Sequence, residues 1–269
     1  MNLKKTLMSL AVMACFITGC TQQKALVLYY SQNGATQTVA EELQKQLGAD
    51  MERIEVVNPY DGDFQATIQR CNEEMNSGNL PAIQPLQSKL ADYDVIFLGY
   101  PIWFGTYAMP IATLVKENDF AGKTIVPFCT FGSGGLNTSS EALKKALPKA
   151  NIKQGYGVRT ARVAAAAKEL DRFLIENGYK EGEVAPLPAY GESVPVTPED
   201  SAVFSAACST YQFPLGTPKM VGKRETETTT DYKFTVTSTG MNGAESTSTI
   251  YVTVGKEEGA QPEFTEVVR

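Results

Sequence analysis

Ala25-Leu26-Val27-Leu28-Tyr29-Tyr30-Ser31-Gln32-Asn33-Gly34-Ala35-Thr36 is the stretch on which the fold turns. Its first half, Ala25 to Tyr30, is a continuous apolar run of the length expected for a strand buried on both faces of a parallel sheet. Its second half changes chemistry at once. Ser31 and Thr36 supply hydroxyls, Asn33 a carboxamide and Gly34 a freely turning backbone, and the chain then enters a helical pattern. Val39, Ala40, Leu43 and Leu47 form one stripe that ends at Gly48, which suits a C-terminal cap.

The same alternation continues downstream. Met51 to Val57 reads as a second strand, and Phe64, Ile68, Cys71 and Met75 mark a helical stripe closed by Gly78. Asp94 to Gly99 is the third strand, followed by a helix from Met109 to Lys116. Lys123 to Cys129 is the fourth, followed by a helix from Ser139 to Leu147. A short fifth strand, Ile152 to Val158, precedes a helix from Val163 to Asn177. Five such alternations argue for a doubly wound α/β domain over residues 25–182, a five-stranded parallel sheet whose ligands sit beyond the carboxyl ends of the strands.

Pro186, Pro188, Pro195 and Pro198 then punctuate residues 183–198, a density that neither continues a helix nor joins a central strand, and the stretch reads as a linker. Residues 199–269 read as a smaller α+β domain, with a helix from Pro198 to Cys208 and a hairpin of Asp231 to Thr239 and Ser246 to Val254 around Gly240-Met241-Asn242-Gly243. No motif in it suggests chemistry.

Composition removes several classes of function. The 269-residue chain has no histidine, so a histidine-dependent hydrolase is excluded and the commonest zinc ligand is missing. Its formal net charge is −6, and it becomes more negative if Lys4 and Lys5 leave with a leader, which argues against nucleic acid as a partner. Cys71, Cys129 and Cys208 are widely spaced, lack a Cys-x-x-Cys pair, build no metal site and read as buried thiols. Glu73-Glu74 and Glu257-Glu258 read as solvated faces. Gly122-Lys123-Thr124 looks like the end of a P-loop, but Glu117 stands where that motif needs glycine and a strand follows where it needs a helix, so it is a turn.

Residues 1–19 read as an export signal: Lys4-Lys5, an apolar run too short to span a membrane, then Ile17-Thr18-Gly19 before Cys20. The quartet Ile17 to Cys20 resembles a bacterial lipoprotein lipobox, which implies lipid on Cys20, with acylation that includes palmitate, and a tether over residues 20–24. Two or more acyl chains anchor stably where one does not. Lysines in place of a twin arginine favour export of the unfolded chain, so any cofactor is taken up outside the cytoplasm. The expected location is the cell envelope, at a membrane.

Three loops follow the first, third and fourth strands. In Ser31 to Thr36, the free amides of a helix start make an anion site that needs no lysine or arginine. In Gly99-Tyr100-Pro101-Ile102-Trp103-Phe104-Gly105 the only tryptophan stands at a loop tip, where a flat apolar ring calls for a cover. In Cys129-Thr130-Phe131-Gly132-Ser133-Gly134-Gly135 three glycines let backbone amides approach a ligand.

The hexapeptide Ser31 to Thr36 resembles the flavodoxin phosphate loop, usually Ser/Thr-x-Thr-Gly-Asn-Thr, with Asn33 in place of the usual hydroxyl residue and Ala35 in place of asparagine. Tyr93 to Trp103, Asn58-Pro59-Tyr60 with Glu74 and Pro81, and Phe120 to Thr130 likewise resemble flavodoxin-like proteins, so the resemblance runs from Ala25 to Tyr179. It implies noncovalent FMN with its phosphate on Ser31, Gln32, Asn33, Gly34, Ala35 and Thr36. Trp103 would lie against the ring, beside Pro101, Ile102, Phe104 and Gly105. Thr130, Gly132, Ser133, Gly134 and Gly135 would meet its polar edge, with Phe131 as a second ring contact. It further implies electron transfer with a redox partner protein or a quinone-like acceptor, and no catalytic acid or base. Two other readings stand beside it: an FMN-dependent reductase of quinones or similar acceptors using a nicotinamide donor, and a non-enzymatic lipoprotein whose C-terminal unit binds a partner on a degenerate flavodoxin scaffold that has lost FMN. Every flavin loop precedes the linker, so FMN binding is expected without the tail.

Overall fold

The computed structural model describes residues 23–60, 63–239 and 243–269. The export signal and Cys20 lie outside the described residues, as does the Gly240 to Asn242 part of the expected hairpin turn.

Strand β1 (Ala25–Tyr29) sits between β2 (Asp50–Arg53) and β3 (Val95–Trp103), parallel to both, and the sheet runs β2-β1-β3-β5-β6, with β5 at Thr124–Phe131 and β6 at Asn151–Ile152. Alternation along β1 explains why its apolar run is unbroken. Leu26 and Leu28 join a core with Ile96, Leu98, Ile111, Leu114 and Leu143, under helices α2 (Phe64–Ser77), α3 (Met109–Glu117) and α4 (Leu136–Ala146). Val27 and Tyr29 face the other way, against Val39 and Leu43 of α1 (Ala35–Leu47) and Leu170 and Leu174 of α5 (Ala166–Glu176). Each fully buried aliphatic side chain contributes about 1.5–3 kcal/mol. The chain leaves β1 toward β2 on one side and returns to β3 on the other, and this reversal opens a crevice at the carboxyl edge of the sheet.

Local chemistry fixes the helix ends. Gly48 and Gly78 cap α1 and α2 in the left-handed conformation, at φ 61° and 70°, and the Asp63 carboxylate accepts from the Ala66 amide at the start of α2.

The structure corrects the expected elements in several places, and the second strand, expected over Met51 to Val57, ends at Arg53, with Val56 in an isolated bridge to Ile83. Strand β3 runs past Gly99 to Trp103 and turns back through β4 (Thr106–Tyr107). The fifth strand is in two pieces: β6, then β7 (Tyr156–Arg159). Its partner β5 carries Pro127, which offers no N–H, and pairing stops at Ile125–Ile152 and resumes at Phe128–Tyr156 with one extra residue bulged out. The last helix begins as a tight 3₁₀ segment, Thr160–Ala165, before α5. Helix α2 also turns a different face to the core: Thr67, Cys71 and Glu74 are buried, while Phe64 is 67% and Met75 39% exposed.

The tail forms an antiparallel sheet, β12-β11-β10-β9-β8, with α6 (Pro198–Cys208) on one face. Phe204 and Ala207 of α6 pack on Val221, Phe234, Ile250 and Phe264. The expected hairpin is β10 (Thr229–Thr239) with β11 (Glu245–Gly255). Strands β9 (Thr217–Glu225) and β12 (Glu263–Val268) have no counterpart in the sequence reading. Strand β8, Val194–Pro195, pairs with Val221 and Met220, so the sheet begins inside the proline-rich segment.

Candidate functional site

Ser31 follows β1 with its side chain buried, and its Oγ accepts from the Gly34 amide at 3.2 Å, while Asn33 Oδ1 accepts from the Ala35 amide at 3.2 Å. Gly34 takes φ 90°, a conformation costly to residues with a Cβ. The turn is pinned from outside: Arg53 Nη2 donates to the Ser31 carbonyl at 2.8 Å, and Gln32 Nε2 to Tyr60 O and Thr67 Oγ1 at 3.2 and 2.9 Å. The hydroxyls of Thr36 and Thr130, both buried, lie 2.8 Å apart and tie the first loop to the third. At the start of α1 the Thr36 and Gln37 amides have no acceptor among the described residues. They form the positive end of a helix dipole directed beyond the sheet edge.

In the second loop Trp103 is not the tip. It ends β3, opposite Thr106, and is wedged edge-on against Tyr30 and Tyr60 at ring separations of 5.8 and 4.9 Å. The tip is Phe104-Gly105, with φ 50° and 78°, the pair of positive angles a two-residue hairpin turn prefers. Phe104 is the one described non-glycine residue at positive φ, and it is 53% exposed.

Tyr60 is braced by Arg70, whose guanidinium lies 3.8 Å from its ring centre, and by Glu74, which accepts from the phenol. Glu74 is therefore no solvated residue: it is 9% exposed, and Arg70 Nε also donates to it, so its charge is paired where it is buried. Burial, then the bond to Glu74, push the Tyr60 phenol well above its usual range.

The third loop is tightly enclosed. A side chain on Gly135, at φ 120°, would fall 2.8 Å from Ile102, and one on Gly134 would fall 2.3 Å from the Val267 carbonyl, whereas Gly132 faces open space. Arg159 Nε donates to the Gly132 carbonyl at 2.7 Å, and the Val267 amide donates to the Ser133 carbonyl at 2.6 Å.

These loops surround a cavity of about 720 Å³, within the range of cofactor sites. It is lined by Pro101 to Gly105, Thr130 to Gly135, Gln32 and Asn33; Ser31, Gly34, Ala35 and Thr36 form the turn behind them. A groove of about 760 Å³ at the amino ends of β3 and β5, lined by Gln84 to Ala91 and Glu117 to Lys123, is remote from all three loops.

Further lining residues escaped the sequence reading, among them Asn137 and Thr138 of α4 and Thr160. Phe64, Thr67, Ile68 and Cys71 of α2 form one wall, and the apolar stripe read as core was their signal. Phe213 and Glu266 to Arg269 come from the tail, and nothing local in the sequence announced them. Phe64, Phe104 and Phe213 are all more than half exposed, and together they rim the mouth.

The site thus offers a flat, phosphorylated cofactor three features: unpaired helix amides, aromatic side chains along a cavity, and a glycine loop with exposed backbone. A flavodoxin family model matches residues 24–173, more than half of the chain, and the chain belongs to that family. The residues present fit FMN, the flavodoxin cofactor, and FMN is the group this fold carries. Among solved structures, a protein of Bacteroides eggerthii assigned as a flavoprotein is 33% identical, with 55% of this chain and 98% of that one covered and a TM-score of 0.47. A similarly assigned protein of Bacteroides uniformis is 29% identical over 55% and 98% of the two chains, with a TM-score of 0.50. A flavoprotein of Lactobacillus acidophilus solved in complex with FMN is 22% identical over 56% and 97%, with a TM-score of 0.47. No curated protein matches.

Proposed function

We propose that this chain is an electron carrier of the bacterial cell envelope, held at a membrane by lipid on Cys20, which passes electrons between a donor and a redox partner protein through FMN. When bound, FMN supplies one- and two-electron chemistry. In this reading the chain's residues bind and tune. The free amides at the start of α1 hold the phosphate, with Ser31 and Asn33 shaping the turn. Trp103, backed by Tyr30 and Tyr60, and Phe104 cover the ring. The Gly132 to Gly135 amides meet its polar edge. The observation that carries the reading is the aromatic cavity at the switch point, with a mouth rimmed by Phe64, Phe104 and Phe213 on which a redox partner can close.

The test has two parts. Purified mature protein is expected to show flavin absorption bands and to bind FMN more tightly than riboflavin; a colourless protein indifferent to FMN would overturn the reading and favour the non-enzymatic lipoprotein. In cells, palmitate label is expected on the chain and to vanish with Cys20→Ser, which should also free it from membranes.

A second reading, an FMN-dependent reductase of a small quinone-like acceptor, is favoured by Phe213 and the end of β12, which add a wall to the cavity from the tail. Rapid bleaching by NADH or NADPH, with turnover of a soluble quinone and no protein partner, would select it.

A further inference from the structure

Strand β12 belongs to the tail sheet by its pairing with β11, yet its last residues lie against the flavodoxin half. Arg159 fastens the two: its Nε donates to the Gly132 carbonyl and its Nη1 to Phe264 O at 2.9 Å, and its guanidinium sits 4.1 Å from the Phe264 ring centre. Arg162 repeats the arrangement, bonding Glu169 of α5 and Glu263 of β12. Between these fastenings the Val267 amide donates to Ser133 O. Glu266, one residue earlier, has its Cγ 3.3 Å from where a Gly134 Cβ would stand and lines the cavity. Its carboxylate has no hydrogen-bond or ion-pair partner among the described residues, unlike the buried Glu74, whose charge is paired with Arg70.

We propose that Glu266 is a working residue of the FMN site, a carboxylate that takes up a proton from solvent when the bound cofactor gains electrons and so offsets the added negative charge. The inference rests on FMN binding in this cavity. Electrons come from the external donor and the proton from water; Glu266 changes only its protonation. Burial alone pushes its carboxyl above the usual carboxylate range.

The groups around it do not compete for the role. The Cys129 thiol on β5 is pushed far up by burial and stays neutral. Tyr251, opposite Glu266 on β11, is a phenol raised by burial and by Glu266 itself. Arg159 directs its donors to backbone carbonyls, and Arg269 follows at the exposed end of the segment.

The sign follows from linkage. Negative charge on the reduced cofactor raises the Glu266 pKa, and by reciprocity an ionised Glu266 weakens binding of the reduced form. Below both pKa values Glu266→Gln should match the parent. Between them the parent's preference for reduced over oxidised FMN should fall by an additional factor of about ten per pH unit, one linked proton. Above both the difference should be constant.

The experiment measures the midpoint potential of the FMN-loaded full chain across pH, with oxidised FMN affinity titrated in parallel, for the parent, Glu266→Gln and, as a control, Glu245→Gln at the exposed start of β11. The extra pH-dependent component is expected in the parent and the control and absent in Glu266→Gln. Superimposable curves for the parent and Glu266→Gln, with FMN bound in both, would overturn the role of Glu266 and leave the cofactor assignment standing. Failure of all three to bind FMN would overturn both. If Glu266→Gln alone is unstable, Glu266→Ala and Glu266→Asp are measured: a component retained in Ala overturns the proposal, and one restored by Asp supports it.

Discussion

Gly135 shows how little room the cofactor loop has. Its φ of 120° and the Ile102 methyl behind it each oppose a side chain. Gly135→Ala should destabilise the protein by about 1–3 kcal/mol, the usual cost of a strained backbone, and weaken FMN binding at the same time. Urea unfolding and an FMN titration would check both. Trp103 offers an internal probe. It is the only tryptophan, it lines the cavity, and rings stand against it on its inner side. Adding FMN to apoprotein should quench most of its emission, and Trp103→Ala should raise the dissociation constant of FMN; unquenched emission in a saturated complex would mean that Trp103 faces only its tyrosine neighbours. The chemistry of Trp103 was legible in the sequence, but its position was not, because a two-residue turn moves the tip one residue on, to Phe104, and nothing short of the β3–β4 pairing reveals that. Glu74 was misread for a similar reason: a carboxylate beside another on a helix looks solvated until Tyr60, distant in sequence, is brought against it.

Among the elements, β12 is the most exacting. Arg159 is 8% exposed, and it fills two backbone carbonyls, one on the cofactor loop and one on β12. Arg159→Ala should cost about 2–4 kcal/mol, because both carbonyls then lose a charged donor, and FMN affinity should drop with it; unfolding curves and titrations coincident with the parent would show the clamp to be idle. The pH dependence of the same docking follows from Glu266. Its carboxyl is raised in the folded chain, so the stability it permits is complete below the unfolded value near 4.5 and is lost as pH rises through the higher folded value. Glu266→Gln should therefore gain stability relative to the parent across that rise, measurable by urea midpoints at several pH values. The flavodoxin half was legible because strands buried on both faces are apolar throughout, and because glycines close helices where the stripes end. Strands β9 and β12 were not. In their sequences, Thr-Pro-Lys-Met-Val-Gly-Lys-Arg-Glu and Glu-Phe-Thr-Glu-Val-Val, one face of an antiparallel strand is polar and charged, and that face breaks up the apolar signal.

For the molecule as a whole, residues of both halves line one cavity, and this bears on how tightly the flavodoxin half holds FMN by itself. A fragment from Lys24 to Gly182 keeps the three loops but lacks Phe213 and Glu266 to Arg269. It should bind FMN about tenfold or more weakly than the full mature chain, roughly the 1.4 kcal/mol expected from losing a modest part of an apolar wall. Equal affinities would show that the tail only neighbours the site. The order of the segments along the chain has its own consequence. The Gly132 to Gly135 loop leaves the ribosome, and under the proposed route crosses the membrane, well before the β12 segment that Arg159 fastens to it. A flavodoxin half that folds ahead of β12 is thus an open vessel until that strand arrives. A flavin met early has one wall fewer to hold it, and firm capture waits until the far downstream strand arrives.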